Sequence, residues 1–210
     1  MMNKFEIPVT ILENFFPDPN FLVEYSKTLD YTSASGNHNF PGVRCKIEQK
    51  NPELFSYIIN SVLSLFVEID DETRWEASLA FQITNSELKE GWIHQDDGSV
   101  LAFILYLNEN PDPNSGTSVF ERKFYDDSIE TEQTKQLKRA THRGELPLDD
   151  NYFDHLRRYN SQFEETIEVK NKFNRLLVFD SNTYHGVKKF VDSRLTMAGF
   201  IYKLNGKKYY

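Results

Sequence analysis

Trp92-Ile93-His94-Gln95-Asp96-Asp97, followed after a short turn by Leu101-Ala102-Phe103-Ile104-Leu105-Tyr106-Leu107-Asn108, is the stretch from which the fold of this chain can be read. A His-x-Asp triplet stands directly before an apolar strand. In an extended segment side chains two apart share a face, so His94 and Asp96 point the same way, with Trp92 on that side too. Within the apolar run, Ala102, Ile104 and Tyr106 alternate with Leu101, Phe103 and Leu105, the period of a strand covered on both faces. Two imidazoles and one carboxylate form the face that holds non-haem Fe(II) and leaves coordination positions open. The second imidazole has to arrive from a distant strand, and His185 is the candidate. Each piece alone is a weak signal: a strand histidine is more often a hydrogen-bonded structural residue, and His-x-Asp recurs by chance.

Nine residues after His185 comes Arg194, in Arg194-Leu195-Thr196. An arginine buried in a barrel needs an anionic partner, because an unpaired buried charge is costly. Its planar fork suits a carboxylate bidentately. Thr196 lies on the same face and offers a hydroxyl, and Tyr106 can supply a phenolic donor from a neighbouring strand. For Arg194 taken alone, an Arg–Asp or Arg–Glu pair inside the sheet is the default reading.

Working outward, alternation continues on both sides of the quoted stretch. Trp75, Ala77, Leu79, Phe81 and Ile83 fall on one face, with Glu76, Ser78, Ala80, Gln82 and Thr84 on the other. Strand-like runs follow at Gly91–Asp96, Thr117–Glu121, Arg175–Phe179, Thr183–Val187 and Arg194–Tyr202. Many short strands with turn signals between them predict a sandwich or jelly roll, whose facing sheets would let His185 meet His94. The N-terminal part is mixed. Phe5–Leu12 reads as a strand. Asp18-Pro19 and Asn51-Pro52 each supply an N-cap and a first-turn proline. Leu22, Tyr25 and Leu29 follow the first at helical spacing, and Phe55, Ile58, Ile59, Val62 and Phe66 follow the second. Ser33–Pro41 reads as a loop leading to Gly42-Val43-Arg44.

Residues 122–172 are highly charged, with a helical pattern over Asn151–Glu165, and are expected to be an insertion or lid. The expected organisation is one domain over 1–210. It has an N-terminal strand and helices in 1–74, core strands in 75–121 and 173–203, and the insertion between them. The fold class is α+β, mainly β: a double-stranded β-helix (jelly-roll) core buttressed by N-terminal helices.

At 210 residues the chain can bury a sizeable core. Its net charge of −8 makes duplex nucleic acid an unlikely partner. No apolar run resembles a signal peptide or a membrane span. Cys45 is the sole cysteine, which excludes an intramolecular disulfide and a cysteine-based zinc cluster and fits a cytoplasmic setting. Any metal must therefore be held by histidine and carboxylate.

His94-Gln95-Asp96, the strand ending Tyr106-Leu107-Asn108, Ser115-Gly116-Thr117, Asn174-Arg175-Leu176-Leu177-Val178-Phe179, His185 and Arg194 together resemble the prolyl-hydroxylase-like branch of the Fe(II)/2-oxoglutarate-dependent oxygenases. The nearest flavour is the small oxygenase-like group of bacteria and phages. The resemblance spans about residues 75–203, with a looser likeness from Phe16-Pro17-Asp18-Pro19 through Phe40-Pro41-Gly42-Val43-Arg44. It implies a jelly roll in which His94, Asp96 and His185 ligate Fe(II). Arg194 would bind the distal carboxylate of 2-oxoglutarate, helped by Tyr106 and Thr196. It also implies a dioxygenase that consumes O2 and hydroxylates a C–H bond with release of succinate and CO2. Where the family often has Gly-Gly-Thr this chain has Ser115-Gly116-Thr117, a change at a turn and not at a ligand.

Other positions carry less. Arg44, Gln82 and Trp92 are candidate substrate contacts, against a surface arginine, a satisfied sheet amide and a core indole. Asp97 is a candidate for orienting a water or histidine near the ligands. His38 is expected to be exposed, and His142 and His155 need no special role. Lys135, Lys138, Arg139 and Arg143 read as a solvated face or as a patch for an anionic partner. The substrate class stays open between a small molecule, an amino acid and a peptidyl residue, and the oligomeric state is unread. Two other readings compete: a cupin-like metalloprotein of different chemistry, and a non-catalytic jelly-roll binding module. A cupin-like protein has no need of an arginine and a tyrosine set to receive a dicarboxylate.

Overall fold

The computed structural model describes residues 8–36, 39–96, 98–191 and 193–208; His38, Asp97 and the first part of the expected Phe5–Leu12 strand lie outside these. In chain order the elements are β1 (Thr10–Leu12), α1 (Pro19–Lys27), β2 (Thr32–Ser33), β3 (Val43–Lys46), α2 (Pro52–Leu63), β4 (Val67–Glu68), β5 (Arg74–Thr84) and β6 (Leu101–Tyr106). They continue with β7 (Thr117–Arg122), α3 (Glu132–His142), α4 (Asp150–Asn160), β8 (Phe163–Val169), β9 (Leu176–Asp180), β10 (Tyr184–Gly186), β11 (Arg194–Asn205) and β12 (Lys207–Lys208). The major sheet has seven strands in the order β1-β9-β6-β11-β5-β3-β2, and a minor sheet has the order β10-β7-β8. Both are antiparallel throughout. One cavity is lined from both sheets, by Gln82 and Thr196 on one side and Thr117 and His185 on the other, which is the jelly-roll arrangement.

Alternation along the central strands divides the major sheet into two faces. Leu79 and Phe81 of β5, Leu101, Phe103 and Leu105 of β6, and Met197 and Ile201 of β11 pack outward on Phe55, Ile58, Ile59, Val62 and Leu63 of α2. The intervening residues point into the jelly roll. Gly199 sits where this outer packing is tightest: a Cβ there would lie 2.1 Å from the Phe103 ring. The helices start as their sequences predict. The Asp18 carboxylate accepts from the Phe21 amide at 3.2 Å, the Asn51 side-chain oxygen accepts from the Leu54 amide at 3.0 Å, and a proline follows each cap.

The charged stretch 122–172 is not uniform. The Lys123 amide donates to the Gln162 carbonyl at 2.8 Å, so the chain leaves the minor sheet and returns to it at one point. Between those residues run α3 and α4. Beyond them β8 pairs with β7 from Thr117↔Val169 to Arg122↔Phe163, and is therefore sheet and not insertion. Its sequence, Phe163-Glu164-Glu165-Thr166-Ile167-Glu168-Val169, hides this because its glutamates mask the alternation. The expected helix over Asn151–Glu165 correspondingly stops at Asn160. The expected strand Gly91–Asp96 narrows to a single bridge, His94↔His185.

Candidate functional site

That bridge brings two of the sequence-singled residues together. The His94 amide donates to the His185 carbonyl and the His185 amide donates back, both at 2.9 Å. Side chains on such a closely paired rung are near neighbours, and the two imidazole centroids lie 4.4 Å apart. Asp96, two residues on, completes the group. His94 Nε2 is 3.6 Å from Asp96 Oδ1, and His185 Nε2 is 3.5 Å from Asp96 Oδ2. One ligand atom from each of the three falls within 4.8 Å of the other two. The two histidine–carboxylate separations of 3.6 and 3.5 Å suit a single ion with bonds of about 2.0–2.2 Å to imidazole and carboxylate, the lengths zinc shows.

The tautomers agree with such a role. His94 Nδ1 lies 2.9 Å from the Trp92 carbonyl and His185 Nδ1 lies 3.0 Å from the Thr183 carbonyl. A carbonyl only accepts, so each Nδ1 donates to it and each Nε2 is the ring atom left facing the centre. Burial, with help from His185, Lys138 and Arg44, holds His94 well below the ordinary imidazole value, in the neutral form that ligates metals. His185 is shielded, its ring 4.4 Å from that of Phe179.

Arg194 is 3% exposed. Its Nε donates to the Ser115 carbonyl at 2.7 Å, while its Nη2 is buried with no hydrogen-bond partner. The Tyr106 and Thr117 hydroxyls are also buried and make no well-formed hydrogen bond, though Tyr106 lies near enough to interact with both Thr117 and Arg194, whose guanidinium carbon stands 5.6 Å from its ring centroid. Burial lowers the Arg194 guanidinium and raises the Tyr106 phenol. Orphaned donors around a buried cation fit an oxyanion. No internal carboxylate pairs with Arg194 among the described residues, so the default reading of this arginine does not hold. Thr196 takes its expected place, cross-strand from both Tyr106 and Gln82. Thr117 was not singled out in the sequence. The Ser115 carbonyl is held in place by close packing, since a Cβ on Gly116 would meet the Val169 carbonyl oxygen at 1.9 Å.

The cavity that joins these groups measures about 770 Å³. Arg44 and Gln82 face each other across β3 and β5, and Arg44 Nη2 donates to Gln82 Oε1 at 3.0 Å. Gln82 Nε2 in turn donates to the Pro41 carbonyl at 2.8 Å, which fixes the loop before β3. Trp92 lines the cavity and also serves the structure. Its carbonyl orients His94, its indole N–H donates to the Tyr152 hydroxyl at 2.9 Å, and its ring packs with Tyr152, Phe153 and Leu156 under α4.

Two residues of α3 with no predicted place in the site, Lys138 and His142, also line the cavity. The Lys138 ammonium lies 5.6 Å from the Trp92 ring centroid, and burial pushes it down to about 8. His142 bonds Asn39 Oδ1 at 2.7 Å and the Tyr152 hydroxyl at 3.2 Å, and burial pushes it down to about 3. Of their neighbours, Arg143 lies against the Gly36 carbonyl at 3.1 Å. His155 bonds the Asn151 carbonyl of its own helix, at 2.9 Å.

Solved structures share this architecture. A prolyl 4-hydroxylase of Pseudomonas putida matches with 14% identity and a TM-score of 0.51, covering 92% of this chain and 91% of that one. HygX of Streptomyces hygroscopicus, solved with nickel and 2-oxoglutarate bound, matches with 11% identity and a TM-score of 0.52, covering 96% and 84%. A prolyl 4-hydroxylase of Phytophthora capsici matches with 14% identity and a TM-score of 0.52 over 94% of this chain. The chain spans only 58% of that protein's length. These likenesses establish the fold, an α+β protein with a double-stranded β-helix core; function belongs to the site. No curated protein matches the chain. A family model described as a family of unknown function matches residues 2–195.

Proposed function

We propose that the chain, which belongs to that family, DUF6445, is a non-haem Fe(II)- and 2-oxoglutarate-dependent dioxygenase that hydroxylates a C–H bond. The observation that carries this reading is the sharing of one cavity by two sites. One is a His94–Asp96–His185 donor set with its ligand atoms converging; the other is a buried guanidinium, Arg194, with unpartnered donors beside it. A metal-ligating triad by itself suits several chemistries, and so does a buried arginine. Together they match a metal and a dicarboxylate that must bind next to one another.

The residues divide the work. His94, Asp96 and His185 would hold Fe(II) on one face and leave the other open to the cavity. Arg194, with the hydroxyls of Tyr106, Thr117 and Thr196, would receive the distal carboxylate of 2-oxoglutarate. The carbonyls of Trp92 and Thr183 keep the two imidazoles in the ligating tautomer. The apolar flank around Phe179 limits water. Loaded with Fe(II), 2-oxoglutarate and O2, such a site supplies an oxidation in which the keto acid becomes succinate and CO2 and the substrate C–H becomes C–OH. The substrate is an amino acid, a peptidyl residue or a small molecule, and the motifs resemble those of the short oxygenase-like proteins of bacteria and phages.

Anaerobic titration with Fe(II) and then 2-oxoglutarate tests the reading through the weak visible charge-transfer band of chelated keto acid. The band is expected in the wild type and not in Asp96→Ala. Iron binding without the band would favour a cupin-like metalloprotein. No binding of either would leave a jelly-roll interaction module.

A further inference from the structure

The cavity holds a second cationic locus, separate from Arg194. Arg44 enters from β3, two strands away from β11 in the order β11-β5-β3, which is about 9–10 Å at ordinary strand spacing. Its guanidinium carbon lies 4.5 Å from the Phe40 ring centroid and 5.6 Å from that of Phe200. Gln82 takes one of its donors, and its Nε is buried with no hydrogen-bond partner. Lys138 lines the same cavity from α3. Among the described residues no carboxylate comes within ion-pair distance of either cation. The neighbouring Arg122 and Arg139 do have such partners, Glu130 and Glu132.

Among the described residues, the carboxylate whose field reaches both Arg44 and Lys138 is Asp96. In the function proposed above, the charge of Asp96 goes to the metal. That leaves two partly desolvated cations flanking the reaction centre of a protein whose net charge is −8. Concentrating positive charge in a cleft of an acidic protein is costly unless an anion occupies it. Carboxylate and phosphate geometry match the free edge of a guanidinium and a nearby ammonium.

We propose that the prime substrate carries an oxyanion group, a carboxylate or a phosphate, held between Arg44 and Lys138. The proposal rests on the oxygenase reading, in which a metal takes up the charge of Asp96. The aromatic flank of Phe40, Phe200 and Trp92 suits a substrate whose remainder is apolar or planar.

The test titrates inorganic phosphate and, separately, benzoate into the full-length chain loaded anaerobically with Fe(II), by calorimetry, with 2-oxoglutarate as a third ligand. Binding of phosphate or benzoate is expected in the wild type. Arg44→Gln and Lys138→Met should each weaken it by about thirtyfold or more while leaving 2-oxoglutarate affinity intact, which also reports that both variants are folded. Arg194→Gln should do the reverse. Whichever of phosphate and benzoate binds more tightly identifies the oxyanion. No uptake of either probe, or uptake unchanged in both Arg44→Gln and Lys138→Met, overturns the proposal. Loss of phosphate binding only in Arg194→Gln would also overturn it. A failure of 2-oxoglutarate to depend on Arg194 would count against the oxygenase reading alone.

Discussion

Arg194 shows what a single buried cation requires. Its Nε is used by the Ser115 carbonyl and its Nη2 by nothing among the described residues. Arg194→Gln is therefore expected to weaken 2-oxoglutarate binding by about 2–5 kcal/mol, the range for losing one partner of a buried charge pair. Calorimetry on the Fe(II)-loaded anaerobic protein measures this, and an unchanged affinity would move the anion site elsewhere. His142 makes a prediction of the opposite kind, about acid. Its folded value is pushed down to about 3 from an unfolded value of about 6.5, so the fold binds it neutral. The stability linked to it is complete above about pH 6.5 and is lost as pH falls toward 3, because the unfolded chain takes up the proton first. Urea unfolding at a series of pH values should show this loss, and His142→Gln should flatten it in that window; an identical acid slope in the variant would rule His142 out. Arg194, His94 and His185 were legible in the sequence because strand period and flanking apolar residues assigned them a face. His142 and Lys138 were not, because they sit on a helix whose sequence, Glu-Gln-Thr-Lys-Gln-Leu-Lys-Arg-Ala-Thr-His, reads as solvated.

Among elements, those built from one strong periodicity were readable in advance. Helices α1 and α2 announce themselves by Asp18-Pro19 and Asn51-Pro52, and β5, β6 and β11 by alternation. Elements whose outer face is charged were not: β8 carries three glutamates and β3 reads Val-Arg-Cys-Lys. A tertiary constraint at β11 is likewise invisible locally. Gly199 has no positive φ and no turn; it is glycine because the Phe103 ring covers it. Gly199→Ala is expected to destabilise the protein by about 1–3 kcal/mol, as overpacking does. A denaturant midpoint equal to that of the wild type would mean that Phe103 has room to swing aside. The excursion between Lys123 and Gln162 is a separate case. Its helices bury few residues beyond Tyr152, Phe153 and Leu156, and α3 contributes only Thr134 and Thr141.

For the whole molecule, this uneven burial predicts uneven stability. Amides of α3 should exchange hydrogen faster than those of α2 and β6, whose side chains form the main core. Native-state exchange followed by mass spectrometry measures it, and uniform protection across α3 and β6 would mean that the two open as one unit. Among the described residues no helix is long and apolar enough to cross a membrane. The doubly hydrogen-bonded rung between His94 and His185 has a consequence for folding itself. It closes a loop of about ninety residues, from position 94 to position 185, and the chain's single cysteine leaves no disulfide to do so. An ion gripped by both imidazoles would act as a staple across that span, suppressing open forms as a cross-link does. Its stabilisation should grow logarithmically with free metal concentration. Thermal scans at rising Fe(II) or Ni(II) should then show a climbing midpoint in the wild type and a flat one in His185→Ala. On the proposed reading, metal depletion would lower the stability of the folded protein as well as its activity.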